Sequence, residues 1–214
     1  MPLFTQLSKD DFQLSVWRIE EELSFFEAKF NAHPEIQNES KKLQWFATRH
    51  LLNEMVGDSA HVWKDDTGKP FLKDASHHIS ISHTPEFAAA IASKQNIVGI
   101  DLEMITPKVE RIAHKFLRDD EIDAIGTDEK LEKLILYWSA KEALYKLYGK
   151  KQIEFKTQLL IEPFTLELNG HLRAEIITGD EHIRGLTVNY SFFEDHVVSY
   201  VMNEIPNLGE SLAQ

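Results

Sequence analysis

The hydrophobic and polar positions follow their clearest pattern in the stretch 136–149, which contains no proline and ends at a glycine. Most of its residues favour helix, and a glycine commonly follows the last turn of a helix. At 100° per residue, the pattern predicts a helix with one apolar side and one charged, aromatic side. The apolar side consists of Leu136, Ala140, Ala143, Leu144 and Leu147. The opposite side consists of Trp138, Glu142, Tyr145 and Lys146, with Lys141 at its edge.

This polar side has two interpretations. Glu142 and Lys146 fit an ordinary i,i+4 surface pair worth about 0.3 kcal/mol. The combination of tryptophan, glutamate and lysine on one helix face also fits a functional site. The helix alone leaves both interpretations open.

The rest of the chain alternates between helical and strand periodicities, as expected of an α+β protein. Helices are predicted at 20–30, 41–56, 110–117 and 130–148. Strands are predicted at 13–19, 159–168, 172–177, 182–190 and 196–202, with an antiparallel meander at 77–103. Loops or turns are predicted at 31–40, 65–68 and 169–170, and a loose tail at 204–214.

A faint internal repeat connects the two long helices. Leu, Trp, Ala and Leu of the segment 43–51 align in register with the segment 136–144. Each copy precedes a turn and a β-meander, which suggests two related halves. Two ordinary amphipathic helices would also produce four such matches. We predict an α+β fold of two similar α/β-meander halves, with the boundary between residues 98 and 99.

The composition limits the class of protein. The net charge of −12 argues against general nucleic-acid binding, which needs a basic footprint. The chain has no cysteine, so disulfides and thiolate metal sites are excluded. Its first residues lack the pattern of a signal peptide, and no apolar run is long enough to span a bilayer. We therefore expect a soluble, cytoplasmic protein that does not bind a membrane.

A local cluster of lysines departs from the acidic composition. It predicts a docking place for an anion or an acidic partner. A solvated lysine face without a partner has the same pattern. The cluster consists of Lys141, Lys146, Lys150, Lys151 and Lys156.

Two carboxylates alternate with apolar residues in the segment 97–103. Asp101 and Glu103 share one strand face and lie about 6.5–7 Å apart along the strand, within reach of one cation. Gly99 on the same face would let a ligand approach the backbone. Oxygen ligands suit Mg²⁺ or Mn²⁺, although acids on a solvated strand edge show the same spacing.

Six short segments, taken together, resemble the 4′-phosphopantetheinyl transferases of the larger Sfp type. The most specific are Gly-Ile-Asp at 99–101 and Trp-x-x-Lys-Glu-x-x-x-Lys at 138–146. The others lie at 45–49, 68–70, 79–83 and 116–121, and the resemblance covers roughly 41–151. In that family a single chain forms a pseudodimer of two similar halves. The internal repeat agrees with this architecture.

The resemblance implies a role for each matching residue. The half 99–214 would hold the metal and the catalytic residues, and the half 1–98 would bind the 3′-phosphate and adenosine of coenzyme A. The expected Mg²⁺ ligands, with Mn²⁺ as an alternative metal, are Asp101, Glu103 and Glu142. The expected contacts of the first half with coenzyme A are Arg49, Lys69, Ser82 and His83. Lys141 and Lys146 would bind phosphate charge during catalysis, with Lys146 on the leaving 3′,5′-ADP.

The implied reaction is Mg²⁺-dependent transfer of 4′-phosphopantetheine to a serine of an acyl or peptidyl carrier protein. Glu142, or a water that it positions, would act as general base, and Trp138 would pack to fix the helix. We expect the enzyme to be a monomer. Two alternatives stay open at this point: a metal-dependent nucleotide or phosphate hydrolase, and a non-catalytic protein that binds coenzyme A.

Overall fold

A computed structural model of the chain describes residues 3–9, 11–30, 34–57, 62–179 and 181–204. The chain begins with β1 (Leu3–Lys9), β2 (Phe12–Arg18), α1 (Leu23–Glu27), α2 (Glu39–Val56), β3 (Val62–Lys64), β4 (Pro70–Leu72), β5 (His78–His83) and β6 (Phe87–Ser93). It continues with β7 (Asn96–Met104), a 3₁₀ helix (Pro107–Arg111), α3 (Ala113–Phe116), α4 (Asp119–Ile125), α5 (Lys130–Tyr148) and α6 (Phe155–Gln158). The last strands are β8 (Leu159–Ile161), β9 (Asn169–Ile177), β10 (His182–Phe193) and β11 (His196–Glu204). These elements confirm the predicted α+β class.

The strands form two antiparallel sheets and a small hairpin. The first sheet has the order β1-β2-β6-β5 and the second sheet the order β7-β11-β10-β9-β8, while β3 pairs with β4. In the first sheet, β2 precedes the long helix α2 and lies beside β6, the last strand of the β5–β6 hairpin. In the second sheet, β7 precedes the long helix α5 and lies beside β11, the last strand of the β10–β11 hairpin.

The predicted meander at 77–103 is wrong in its third strand. β5 and β6 pair as expected, but β7 pairs with β11 in the second sheet. Its apolar face, Val98, Ile100 and Leu102, is buried against the inner face of the first sheet. The change of sheet therefore lies at the turn before Asn96, and the predicted boundary after residue 98 falls inside β7.

The two sheets and two long helices stack as four layers. α2 covers the outer face of the first sheet, and α5 covers the outer face of the second. The inner faces of the sheets pack on each other in a third apolar cluster. Strand alternation explains this arrangement, because successive side chains of β6 point to opposite faces and both faces are buried. α2 and α5, which carry the internal repeat, thus occupy equivalent outer layers.

The helix α5 confirms the opening prediction and lies very close to β7. Its predicted apolar side is buried throughout. A Cβ atom on Gly99 would lie 2.1 Å from the carbonyl oxygen of Ala143 and 2.7 Å from the backbone nitrogen of Leu147. The space beside Gly99 is therefore filled by α5. The prediction that this glycine admits a ligand is wrong.

Gly99→Ala is expected to destabilise the fold by about 3 kcal/mol, because a backbone carbonyl cannot move aside as a side chain can. The free energy of unfolding in urea measures this effect. Gly179→Ala is the matched control, since its Cβ would have no neighbour within 4 Å and the change should stay within about 0.5 kcal/mol. Equal stabilities of the two variants would contradict the close packing of α5 on β7.

Several element boundaries differ from the predictions. β1 and the β3–β4 hairpin were not predicted, and α1 occupies only part of the predicted helix 20–30. The predicted strand 159–168 is reduced to β8, and the predicted turn at 169–170 belongs to β9. Beyond Glu204, the predicted tail lies outside the described residues. Among the described helices, none is long and apolar enough to cross a membrane.

Candidate active site

Two cavities meet along the polar side of α5. The first, of about 360 Å³, is called the cationic cavity; it lies between the β3–β4 hairpin, β5 and α5. Its polar lining includes Lys64, Thr67, Lys69, Ser82, His83 and Lys146. The second, of about 490 Å³, is called the apolar groove; it is lined by Ile112, Phe116, Trp138, Ile153 and Phe155 together with Lys115 and Glu154. Glu142 and Tyr145 line both cavities, so they form the wall between them.

A polar contact at the floor of the cationic cavity connects the two sheets. Lys146 Nζ donates to Asp101 Oδ1 at 2.7 Å and to Ser82 Oγ at 3.0 Å. Ser82 Oγ in turn donates to Asp101 Oδ1 at 3.1 Å. Ser82 belongs to the first sheet, Asp101 to the second, and Lys146 to α5. The structure therefore brings three predicted site residues from three elements together.

The other two predicted metal ligands are Glu103 on β7, which contacts the polar side of α5, and Glu142 on that side itself. Trp138 Nε1 donates to Glu103 Oε1 at 2.8 Å, which orients that carboxylate. Burial, and then the negative charge of Asp101, raises the pKa of Glu103 to about 7. The same two causes raise the pKa of Glu142 to about 7, although Lys146 opposes the shift. Three carboxylates thus share a site in which their negative charges are poorly compensated.

This site fits a divalent cation, although its ligands are not gathered into a finished coordination sphere. Among the described residues, no three His, Asp or Glu side chains form a group ready to hold a metal ion. Asp101 is 3% exposed, and its Oδ2 atom is buried with no described group donating to it. A buried carboxylate oxygen without a partner is costly, and a cation would satisfy it. Asp101, Glu103 and Glu142 are the residues that would hold the ion.

Positive groups line the far end of the cationic cavity. Lys69 reaches from the β3–β4 hairpin to α5, where its Nζ donates to the carbonyl of Leu147 at 2.9 Å. Its side chain lies against Gly149, whose φ of +68° ends the helix. Partial burial, and then the ammonium groups of Lys146 and Lys64, lowers the pKa of His83. This excess of positive charge is suited to an anion.

Arg49 lies near this cavity but is not among the described residues that line it. Its guanidinium stacks on Trp45 at 4.1 Å from the ring centroid and donates to Thr48 Oγ1 at 3.2 Å. Burial lowers the pKa of Arg49 to about 10, so the group stays charged at neutral pH. It also helps to lower the pKa of His83. A direct contact of Arg49 with a ligand therefore stays a prediction.

The structure corrects the position of Lys141, which was expected to bind phosphate. Its side chain is fully buried and lines neither cavity. Lys141 Nζ donates to Glu121 Oε2 at 2.7 Å and to the carbonyl oxygens of Phe116 and Phe155 at 2.6 and 3.2 Å. Its three hydrogen bonds are all made inside the protein. Lys141 therefore has no free donor for a phosphate or for coenzyme A.

The predicted lysine cluster is likewise not a free basic patch. Lys141 is buried and Lys146 pairs with Asp101. Lys150 pairs with Glu181 at 2.8 Å, and Lys156 with Asp119 at 3.3 Å. Acidic neighbours thus offset most of the charge that the sequence places around α5.

Aromatic rings build the apolar groove. The Trp138 ring lies 5.1 Å from that of Phe116 and 5.6 Å from that of Phe155, between centroids. Tyr145 lies 5.5 Å from Phe155. Because Trp138 also binds Glu103, the aromatic wall is continuous with the carboxylate site. The groove therefore offers an apolar surface immediately beside Glu142.

The comparisons with known proteins point to one family. Residues 97–201 match the model described as the 4′-phosphopantetheinyl transferase superfamily. The segment contains all three carboxylates and Lys146. This segment, about half of the chain, is similar to the 4′-phosphopantetheinyl transferase superfamily.

Two proteins named 4′-phosphopantetheinyl transferases are similar to about half of the chain. The 4′-phosphopantetheinyl transferase AcpT of Escherichia coli K12 is 27% identical over 115 residues, which cover 51% of this chain and 59% of AcpT. The 4′-phosphopantetheinyl transferase psf-1 of Bacillus pumilus is 32% identical over 109 residues, which cover 48% of this chain and 46% of psf-1. The chain thus matches only about half the length of these relatives.

The superfamily match locates the carboxylates but not the whole site. Lys69, Ser82 and His83 precede the matched segment, and the structure brings them to it through the cationic cavity. The sequence prediction missed Lys64, Thr67 and Tyr145, which also line this cavity. Tyr145 carried a usable signal, since it lies three residues after Glu142 on the same helix face. Lys64 and Thr67 carried none, because the short hairpin that positions them was not predicted.

Proposed function

We propose that this protein transfers 4′-phosphopantetheine from coenzyme A to a serine of an acyl or peptidyl carrier protein. One observation carries the proposal: Glu142 separates a cationic cavity from an apolar groove, beside the carboxylates of Asp101 and Glu103. Coenzyme A has the same asymmetry, with an anionic nucleotide end and a less polar pantetheine arm. Its pyrophosphate would then lie at the wall between the cavities.

The different linings of the two cavities support one orientation of the donor. Lys69 and His83 at the far end of the cationic cavity would receive the 3′-phosphate and adenosine end. The aromatic rings of Trp138 and Phe155 would contact the pantetheine arm in the apolar groove. Lys146, between these ends, is placed to bind phosphate charge on the leaving 3′,5′-ADP. Fixing both ends of the donor supplies the positioning that phosphoryl transfer requires.

In the transfer, the serine oxygen bonds to the phosphorus that carries the pantetheine arm. The bond from this phosphorus to the oxygen that bridges the two phosphates breaks, and 3′,5′-ADP leaves with that electron pair. Glu142, or a water that it holds, accepts the serine proton. Mg²⁺, or Mn²⁺ in its place, would neutralise phosphate charge when held by Asp101, Glu103 and Glu142.

We interpret the four layers as two related halves of a pseudodimer. The shared order of strand, long helix and hairpin in the two sheets supports this interpretation, as does the repeat in α2 and α5. The first half, 1–98 as predicted, would bind the nucleotide end. The second, 99–214, would hold the metal and the catalytic residues. β7, the first strand of the second sheet in chain order, begins at Asn96, a few residues before that boundary.

Intact mass spectrometry of apo carrier proteins, incubated with coenzyme A, Mg²⁺ and this protein, tests the proposal. We expect at least one carrier protein to gain one phosphopantetheinyl group while 3′,5′-ADP is released. Release of 3′,5′-ADP without any mass gain would favour the hydrolase alternative. Binding of coenzyme A without turnover on any carrier protein would favour the non-catalytic alternative.

Lys69→Ala is expected to weaken binding of coenzyme A by about tenfold, with a smaller effect on the single-turnover rate at saturating coenzyme A. Lys69 lies at the remote end of the donor, and the variant also loses the hydrogen bond to Leu147. Calorimetry and quenched-flow measurements separate the two effects. A large fall of the saturated rate with unchanged affinity would contradict this placement.

His83→Gln tests the same end of the cationic cavity through the number of protons taken up when a phosphate ligand binds. The pKa of His83 is lowered, so its ring is neutral in the free protein near pH 7. A bound phosphate raises that pKa again, so binding takes up protons and the His83 contribution strengthens as the pH falls. Calorimetry of 3′,5′-ADP binding in two buffers of different ionisation enthalpy counts these protons. We expect fewer in His83→Gln, and equal counts would remove His83 from the contact.

A further inference from the structure

Lys141 and Glu121 form a buried ion pair that the proposed reaction does not use. Both side chains are fully buried, and Lys141 Nζ lies 2.7 Å from Glu121 Oε2. Glu121 also accepts hydrogen bonds from the backbone N–H groups of Arg118 at 2.9 Å and Ile161 at 3.2 Å. The carboxylate is therefore held by β8 and by the start of α4. These contacts fix the position of the Glu121 carboxylate, and the carboxylate in turn fixes the position of the Lys141 ammonium group.

The other two hydrogen bonds of Lys141 go to the walls of the apolar groove. Its Nζ binds the carbonyl oxygens of Phe116 and Phe155, whose side chains line that groove from two separate segments. Phe116 ends α3 and Phe155 begins α6. One buried ammonium group thus ties two segments to α5, one residue before Glu142.

The two rings held in this way position further groups of the site. Trp138 packs between the rings of Phe116 and Phe155 and donates to Glu103. Tyr145, which separates the groove from the cationic cavity, packs on Phe155. A shift of either segment would therefore move the groove walls without a direct effect on Lys69 or His83.

We propose that Lys141 is a positioning residue that shapes the apolar groove and so sets affinity for the pantetheine arm of the donor. This inference rests on the proposed function for the identity of that arm. It assigns Lys141 a role through Phe116 and Phe155 and not through contact with phosphate. Removal of Lys141 should therefore affect the arm of coenzyme A and spare its nucleotide.

The test compares a neutral pair with a variant that keeps the ammonium group. Lys141→Met alone would leave Glu121 charged and buried, which threatens the fold. Lys141→Met with Glu121→Gln removes both charges and keeps an acceptor for one of the two backbone N–H groups. Glu121→Gln alone keeps Lys141 and its bonds to the two carbonyls, and it is used where it still unfolds cooperatively, because the buried ammonium group loses its counter-charge. Lys133→Met, which loses one hydrogen bond to the carbonyl of Ile125 outside both cavities, is the control on the same helix.

Calorimetry measures the affinities of each folded variant for coenzyme A and for 3′,5′-ADP, which lacks the arm. We expect the double variant to lose about tenfold or more in affinity for coenzyme A, because small displacements of positioning groups have effects of this size or larger. Its affinity for 3′,5′-ADP should stay within about twofold of wild type. The affinities of Glu121→Gln and of Lys133→Met for both ligands should also stay within about twofold.

Three results would overturn the inference. They are an equal loss for both ligands, no loss for either, and a wild-type protein that binds coenzyme A no more tightly than 3′,5′-ADP. A double variant that does not unfold cooperatively on heating is replaced by Glu121→Gln with Lys141→Leu, measured in the same way. A selective loss for coenzyme A in a protein that modifies no carrier protein would support the inference while the proposed function fails.

Discussion

Glu142→Gln is expected to reduce transfer to a carrier protein by about 10³-fold, since loss of a general base or metal ligand has effects of this order. The amide keeps the size of the side chain but cannot accept the serine proton and is a poor ligand for Mg²⁺. Glu142 lines both cavities, so the change acts at the point where the donor and the serine meet. Single-turnover mass spectrometry of the carrier protein measures the loss.

The stability of Glu142→Gln provides its control. The pKa of Glu142 is raised from 4.5 to about 7 in the folded protein. A raised acid pKa lowers stability as the pH rises from 4.5 through 7, because the unfolded chain gives up the proton more easily. At pH 8 without Mg²⁺ the glutamine avoids this cost, so its melting temperature should equal or exceed that of wild type. Near-wild-type transfer by the folded variant would remove Glu142 from the mechanism.

Lys146→Met is expected to reduce transfer by about 10²- to 10³-fold, because a cation on the leaving phosphate is lost. It should also destabilise the metal-free protein by about 2–3 kcal/mol. Asp101 is then buried without its cation, and the effect is smaller than for a fully enclosed pair because Lys146 is about one quarter exposed. Mg²⁺ should restore more stability to this variant than it adds to wild type, in which Lys146 competes for Asp101. Thermal unfolding with and without Mg²⁺ measures the difference.

Lys150→Met removes the same charge near the same helix and serves as the control. Its pair with Glu181 is largely exposed, so we expect no measurable change in melting temperature or in the response to Mg²⁺. If Lys146→Met behaved like this control in activity and stability, the contact between Lys146 and Asp101 would have no functional meaning.

Local periodicity predicted the parts of the site that lie on one element. The apolar side of α5 is buried and its polar side faces the cavities, because the helical period decides both. The alternation along β7 likewise placed Asp101 away from Val98 and Ile100. Helix and strand periods are local properties, so a single sequence contains them.

Contacts between distant segments could not be predicted in this way. Lys141 lies at the edge of the polar side of α5, and only the position of Glu121 and of two carbonyl oxygens decides that it is buried. Gly99 allows another group to come close to its backbone, but the sequence does not say whether that group is a ligand or α5. β7 could pair with β6 through a short turn, but it pairs with β11 and is buried between the first sheet and α5.

We propose that Asp101, Glu103 and Glu142 hold a divalent cation beside the phosphates of coenzyme A. Electron paramagnetic resonance of Mn²⁺, titrated into the protein with saturating coenzyme A, tests it most directly. We expect one bound Mn²⁺ per chain in wild type, and a loss of affinity of about tenfold or more in Asp101→Asn and in Glu142→Gln. No bound Mn²⁺ in wild type, or equal binding in wild type and both variants, would contradict the claim.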